Sequence, residues 1–173
     1  HRDRGVKIIT NTSVIGFEGD KRIQRVLCEN KEAVDAEIVV VGIGILPNDD
    51  LASIAGLPTD NGIIVDEFGQ TEDPCIYAAG DVTNHPNAIL GHRVRLESWQ
   101  NAQNQAITVA KAMCGIKEPY TQVPWFWSDQ YEVNLQIIGM PERWSTLVFR
   151  GDTTALSFTA FYLDDGYVVG ANA

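Results

Sequence analysis

A carboxylate at the end of a short apolar segment is the first piece of chemistry in this chain. Residues Thr71-Glu72-Asp73-Pro74-Cys75-Ile76-Tyr77-Ala78-Ala79-Gly80-Asp81 predict a buried strand over 75–79 that runs into Ala-Ala-Gly-Asp. The small residues at 78–80 let backbone come close to a ligand, and Gly80 opens dihedrals closed to other residues. Asp81 then stands at the carboxyl end of a strand, where open α/β sheets bind ligands, and can accept hydrogen bonds from hydroxyl groups there. A strand followed by an ordinary Asp turn is the plainer reading of the same residues.

Three further stretches have the composition of sites. Ala36-Glu37-Ile38-Val39-Val40-Val41-Gly42-Ile43-Gly44-Ile45-Leu46-Pro47-Asn48 carries two glycines, either packing glycines of a buried strand or places of close approach to a ligand. Arg95-Leu96-Glu97-Ser98-Trp99-Gln100-Asn101-Ala102 stands at the start of a long predicted helix, whose unpaired N–H groups and dipole favour negative charge. The plainer reading is a capped amphipathic helix with Trp99 in the core. Pro124-Trp125-Phe126-Trp127-Ser128-Asp129-Gln130-Tyr131 gathers three aromatic residues, and burial alone would account for Trp125 and Phe126.

Taken together these motifs resemble the two-dinucleotide-domain flavoprotein oxidoreductases. The Ala-Ala-Gly-Asp run is similar to their second FAD motif, whose Asp holds the ribityl and pyrophosphate region of FAD. The Gly42–Gly44 stretch resembles the end of their NAD domain, where the chain crosses back into the FAD domain. The aromatic octapeptide looks like the opening of the C-terminal domain in NAD(P)H-dependent ferredoxin and rubredoxin reductases of oxygenase systems.

The resemblance implies a set of cofactor-binding residues: Gly80, Asp81 and Val82; Glu97, Ser98 and Trp99; Trp127; and Gly42 and Gly44. By that likeness Asp81 anchors FAD, Glu97 lies near the nicotinamide, and the Trp99 backbone faces the isoalloxazine. The helix N-terminus would stabilise charge on the reduced flavin, and Trp127 would lie on the side where an iron–sulfur partner docks. It implies FAD as cofactor, NAD(P)H as donor and a [2Fe-2S] ferredoxin or a rubredoxin as acceptor. It assigns no catalytic side chain and no metal ligand.

Elements must position these residues. Strands are predicted over 6–9, 12–18, 23–28 and 36–43, with a hairpin turn at 18–21. A helix over 49–55 has Asn48 as N-cap and Gly56 as stop. A strand at 63–66 precedes the one at 75–79, and 83–94 reads as a loop. Helix 98–114 shows a narrow face of Ala102, Ala106, Val109, Ala110 and Met113 and ends at Gly115. Residues 117–119 form a linker, after which strands are predicted near 132–138, 146–150, 156–163 and 167–169.

The fold class is therefore α/β with an α+β C-terminal part: a partial glutathione-reductase-like pair of dinucleotide domains plus a truncated reductase domain. The expected divisions are 1–47, the end of the NAD(P) domain; 48–120, the end of the FAD domain; and 121–173, the truncated C-terminal domain. No Gly-x-Gly-x-x-Gly phosphate loop occurs in the 173 residues, so the sequence reads as a piece of a longer enzyme. The alternative is a non-catalytic fragment or docking module unable to bind FAD by itself.

Composition narrows the partners. A net charge of −10 argues against nucleic acid. The longest apolar run, 38–46, is too short to span a bilayer. Cys28, Cys75 and Cys114 are too scattered for a disulfide framework or metal site, and burial is the expected role of Cys75 and Cys114. The absence of Cys-x-x-Cys argues against a disulfide reductase, and reduced thiols fit a cytoplasmic protein.

Overall fold

Three short strands make up the regular β structure of the first 45 residues, in a computed structural model that describes residues 1–30 and 32–173. Strands β1 (Val14–Glu18), β2 (Arg25–Cys28) and β3 (Ala33–Asp35) form an antiparallel sheet in that order. The predicted turn at 18–21 is there: Glu18 pairs with Arg25, and the Gln24 N–H donates to the Glu18 carbonyl at 2.8 Å. A Cβ on Gly19 would sit 2.0 Å from the Arg22 carbonyl oxygen, so the tightness of this turn requires glycine. The chain divides into two compact units, residues 1–45 and 46–173.

Two predicted strands of the first unit do not form. Residues 6–9 and 36–43 pair with no other strand among the described residues. The second run is left in water, with Ile38 83%, Val40 91% and Ile43 91% exposed. A strand buried on both faces exists only when neighbours supply its ladder and its cover. An apolar sequence alone provides neither.

In the second unit, helix α1 (Asp50–Ile54) is capped by Asp49, not by Asn48 as predicted. The Asp49 carboxylate accepts no bond from the helix. It accepts instead from the Gly62 N–H at 3.1 Å, tying the helix start to the following turn. Strand β4 (Ile63–Ile64) runs parallel to β5 (Thr83–Asn87), which pairs antiparallel with β6 (His92–Val94).

The loop expected over 83–94 is thus a β-hairpin. Its inward positions are polar, with Thr83, His85 and Asn87 all buried, so an apolar alternation could not reveal it. Conversely, residues 75–79 form only an isolated bridge, Tyr77 to Gln70, and Cys75 is exposed. Cys114 is exposed too, and of the three thiols only Cys28 is buried.

Helix α2 (Trp99–Met113) matches its prediction closely in length. Ser98 caps it, its Oγ accepting from the Asn101 N–H at 3.1 Å, and Gly115 follows at φ +85. The buried stripe differs from the predicted one. It is Asn101, Gln105, Val109 and Ala112, while Ala106, Ala110 and Met113 are exposed. Two buried amides turn the helix about its axis because their partners lie beneath it.

The remaining strands form one antiparallel sheet in the order β7-β8-β11-β10-β9. They are β7 (Trp125–Gln130), β8 (Val133–Ile138), β9 (Thr146–Asp152), β10 (Ser157–Asp164) and β11 (Tyr167–Asn172). Asp165 and Gly166, both at positive φ, close the β10–β11 hairpin as an Asp-Gly turn whose twist suits the strands. The fold is α/β with a sheet-rich C-terminal part. No helix of the described residues is long and apolar enough to cross a membrane.

Candidate functional site

The Gly80–Thr83 turn is built from beneath by one side chain. Gln105 Oε1 accepts from the Gly80 N–H at 2.7 Å and from the Thr83 hydroxyl at 2.9 Å. Gln105 is 1% exposed and Thr83 0%. The Thr83 N–H donates to the Gly80 carbonyl at 3.0 Å and closes the turn. Gly80 adopts φ +84, and a Cβ there would lie 3.4 Å from the Ala102 Cβ of α2. Small residues on turn and helix thus set the distance between them.

With its backbone fixed, Asp81 projects its side chain outward. It is exposed, and among the described residues no hydrogen bond or ion pair engages its carboxylate. Val82 is half-buried, and its carbonyl accepts from the Ile63 N–H at 2.8 Å. The Asp81 carbonyl accepts from Arg95 Nη1 at 3.2 Å.

Glu97, Ser98 and Trp99 follow from Arg95 along the chain. Glu97 Oε1 lies 2.7 Å from Arg95 Nη2. The Ser98 cap satisfies the Asn101 N–H, while those of Trp99 and Gln100 donate to nothing among the described residues. No acidic residue occupies the first turn, so the positive end of the helix dipole is uncompensated by its own side chains. Below it, the Tyr120 hydroxyl donates to Asn101 Oδ1 at 3.0 Å, and Asn101 Nδ2 donates to the Leu96 carbonyl at 3.2 Å. Burial pushes the Tyr120 phenol up to about 12; it stays neutral and serves as a donor.

An aromatic shelf completes the site. Trp125 and Trp127 stack at 4.9 Å and 27°, and Trp127 meets Trp99 edge to face at 6.4 Å and 82°. Trp125 Nε1 donates to Gln136 Oε1 at 2.8 Å, which fixes the inner ring. Trp99 is 67% exposed, so it is not core material, and Phe126, for which burial was expected, is also exposed. A cleft of about 300 Å³ opens beside the helix start, between Arg95, Glu97 and Ser98 on one side and Trp125, Phe126 and Ile137 on the other.

The structure therefore gathers Gly80, Asp81, Val82, Glu97, Ser98, Trp99 and Trp127 in one unit. Gly42 and Gly44 belong to the other unit. Gly44 adopts φ +100, and a Cβ on either glycine would meet nothing within 4 Å, so no packing in the described structure requires them to lack a side chain. Sequence reasoning missed Arg95 and Gln105. Apart from Glu97, two residues from Arg95, their partners lie 14 to 34 residues away, and neither residue type carries a local signal.

An open carboxylate, two free N–H groups at a helix start and an exposed aromatic shelf suit a ligand with hydroxyls, developing negative charge and a flat ring. FAD has all three, so the donor set fits it. The described residues contain no cluster of His, Cys, Asp or Glu that could hold a metal.

Residues 1–106 match the pyridine nucleotide-disulphide oxidoreductase family, and residues 125–173 match the reductase C-terminal family. Putidaredoxin reductase of Pseudomonas putida is 41% identical over 175 residues, covering 99% of this chain and 42% of that protein. The ferredoxin–NAD(+) reductase component of an anthranilate 1,2-dioxygenase system from Burkholderia cepacia is 50% identical over 141 residues, covering 81% of the chain and 35% of the relative.

Among solved structures, a ferredoxin reductase from Rhodopseudomonas palustris superposes at a TM-score of 0.91 with 36% identity, over 99% of this chain and 44% of that one. The putidaredoxin reductase in its covalent complex with putidaredoxin gives 0.91 with 41% identity, over 99% and 42%. The chain thus spans about two fifths of the length of these relatives. On motif, fold and similarity alike, it belongs to the pyridine nucleotide-disulphide oxidoreductase family.

Proposed function

We propose that this chain is the C-terminal portion of a flavoprotein reductase that carries electrons from NAD(P)H through FAD to a [2Fe-2S] ferredoxin or a rubredoxin feeding an oxygenase. Residues 1–47 would close the NAD(P) domain, 48–120 the FAD domain, and 121–173 would open the C-terminal domain. The observation that carries the reading is the convergence of the free Asp81 carboxylate, the open α2 start and the Trp99–Trp127 pair. When bound, FAD takes up a hydride and releases electrons one at a time, chemistry no side chain here supplies.

Each residue then has a role in holding that group. Asp81 accepts hydrogen bonds from hydroxyls of the cofactor chain. The Trp99 and Gln100 N–H groups face developing negative charge, with Ser98 holding the turn that aims them. Trp127, braced by Trp125, covers the ring and excludes water from it. Glu97 lies near the nicotinamide, and Gly42 and Gly44 allow close approach of the protein backbone and the nicotinamide cofactor. The three free thiols suit a reducing compartment, and we place the enzyme in the cytoplasm.

A second reading, a fragment or docking module unable to hold FAD alone, is favoured by the uncovered run with Ile38, Val40, Ile43 and Leu46 in water. One spectrum separates the two. The purified chain is mixed with FAD, passed through gel filtration and scanned in the visible. Retained flavin bands support the first reading for this chain. A colourless eluate supports the second, and reduction by NADH of the full-length protein then decides the activity.

A further inference from the structure

Arg95 opens the 95–102 motif but is not among the cofactor-binding residues that resemblance assigned, yet it joins them. Its side chain is 9% exposed and reaches three separate segments. Nη2 pairs with Glu97 Oε1 at 2.7 Å, Nη1 donates to the Asp81 carbonyl at 3.2 Å, and Nε donates to Asn61 Oδ1 at 3.1 Å. Gly62 leaves room for this: a Cβ there would lie 3.1 Å from Arg95 Cδ. A guanidinium offers several donors in a fixed plane, which an ammonium group cannot imitate.

We infer that Arg95 is a positioning residue for the cofactor site, fixing the Asp81 backbone and the Glu97 carboxylate relative to each other through one rigid fork. This rests on the reading of Asp81 as a cofactor anchor given above. Arg95 touches no reacting atom in this scheme; it acts through Asp81 and Glu97. The ion pair to Glu97 also holds that carboxylate against the cleft wall formed with Leu96 and Ser98. Cofactor anchor and dinucleotide-side carboxylate are thereby coupled across sixteen residues of sequence (81 to 97).

The test is a double-variant cycle on FAD affinity in the complete reductase that carries this segment, after removal of bound flavin. The proteins are wild type, Arg95→Lys, Arg95→Met, Asp81→Ala and Asp81→Ala with Arg95→Met. Affinity is read from quenching of FAD fluorescence, and circular dichroism checks folding. Arg95→Lys keeps the stem and the charge, so it guards against simple misfolding of the Met variant.

The expected result is a Kd raised at least tenfold in Arg95→Met and at least threefold in Arg95→Lys. The double variant should bind within about twofold of Asp81→Ala alone, because a misplaced backbone costs nothing once the carboxylate is gone. A folded Arg95→Lys that binds like wild type, or losses that multiply in the double variant, would overturn the positioning role alone. Asp81→Ala binding like wild type, or no FAD binding by wild type, would overturn the site reading and this inference with it.

Discussion

Replacing Gln105 by Leu tests how the Asp81 turn is held. The Leu side chain is one atom shorter and carries no acceptor, so the Gly80 N–H loses its bond at 2.7 Å and Thr83 loses one at 2.9 Å. Leaving a buried donor unpaired costs about 1–3 kcal/mol. The Thr83 hydroxyl falls back on the Gly80 carbonyl, also at 2.9 Å, so its loss is the smaller, about 0.5–1.5 kcal/mol.

The sum is a destabilisation of about 1.5–4.5 kcal/mol. At a urea slope of about 2 kcal/mol per molar, the unfolding midpoint falls by about 1–2 M. Thr83→Val removes only the hydroxyl and leaves the Gly80 bond intact, so it should cost about 1 kcal/mol. The double variant should cost less than the sum of the singles, because the bond between 83 and 105 would otherwise count twice. Urea titrations of all four proteins, followed by circular dichroism, supply the numbers. A Gln105→Leu cost below about 0.5 kcal/mol, or one no larger than that of Thr83→Val, would refute the account of the turn.

Other perturbations have equally definite outcomes. Ser98→Ala removes the cap from Asn101 and should lower stability by about 1 kcal/mol in thermal melts, while Ser98→Gly costs only a few tenths. Gly69→Ala should destabilise by more than about 2 kcal/mol, since its Cβ would fall 2.2 Å from Val109 Cγ2 at a φ of +75; urea midpoints measure it. His85 is 1% exposed, and burial is the main cause that lowers its pKa below the ordinary 6.5.

The unfolded chain therefore takes up that proton first, so His85 leaves stability intact above pH 6.5 and erodes it as pH falls below that value. Wild type should lose stability as pH falls from 6.5 to about 5.5, and His85→Gln should flatten that part of the profile. Tyr120, raised to about 12, behaves in the opposite direction. It is an acid held neutral, so stability falls as pH rises above 10, and an ultraviolet titration of the folded protein should show a phenol that ionises at about 12.

The sequence by itself carried the family and the local elements whose causes are local. Ser98 and Gly115 bracket α2 because capping depends on residues within one turn of the helix ends. The 18–21 turn and the short connections of the C-terminal sheet are likewise written in neighbouring residues. Asp81, Trp99 and Trp127 stood out because the stretches that hold them resemble motifs of a known family, a likeness that is read without coordinates.

What required the tertiary structure was every feature whose partner is distant. Residues 36–43 have the composition of a buried strand, but pairing is a property of two strands, and none of the described residues supplies the second. The 83–94 hairpin was hidden because its inward residues, Thr83, His85 and Asn87, are polar. The buried face of α2 turned on Asn101 and Gln105, whose amides bond Tyr120, Leu96, Gly80 and Thr83. Burial of a polar group is favourable only where a partner waits. Arg95 shows the same logic at the site: two of its partners, Asn61 and the Asp81 carbonyl, reach it only once the chain has folded.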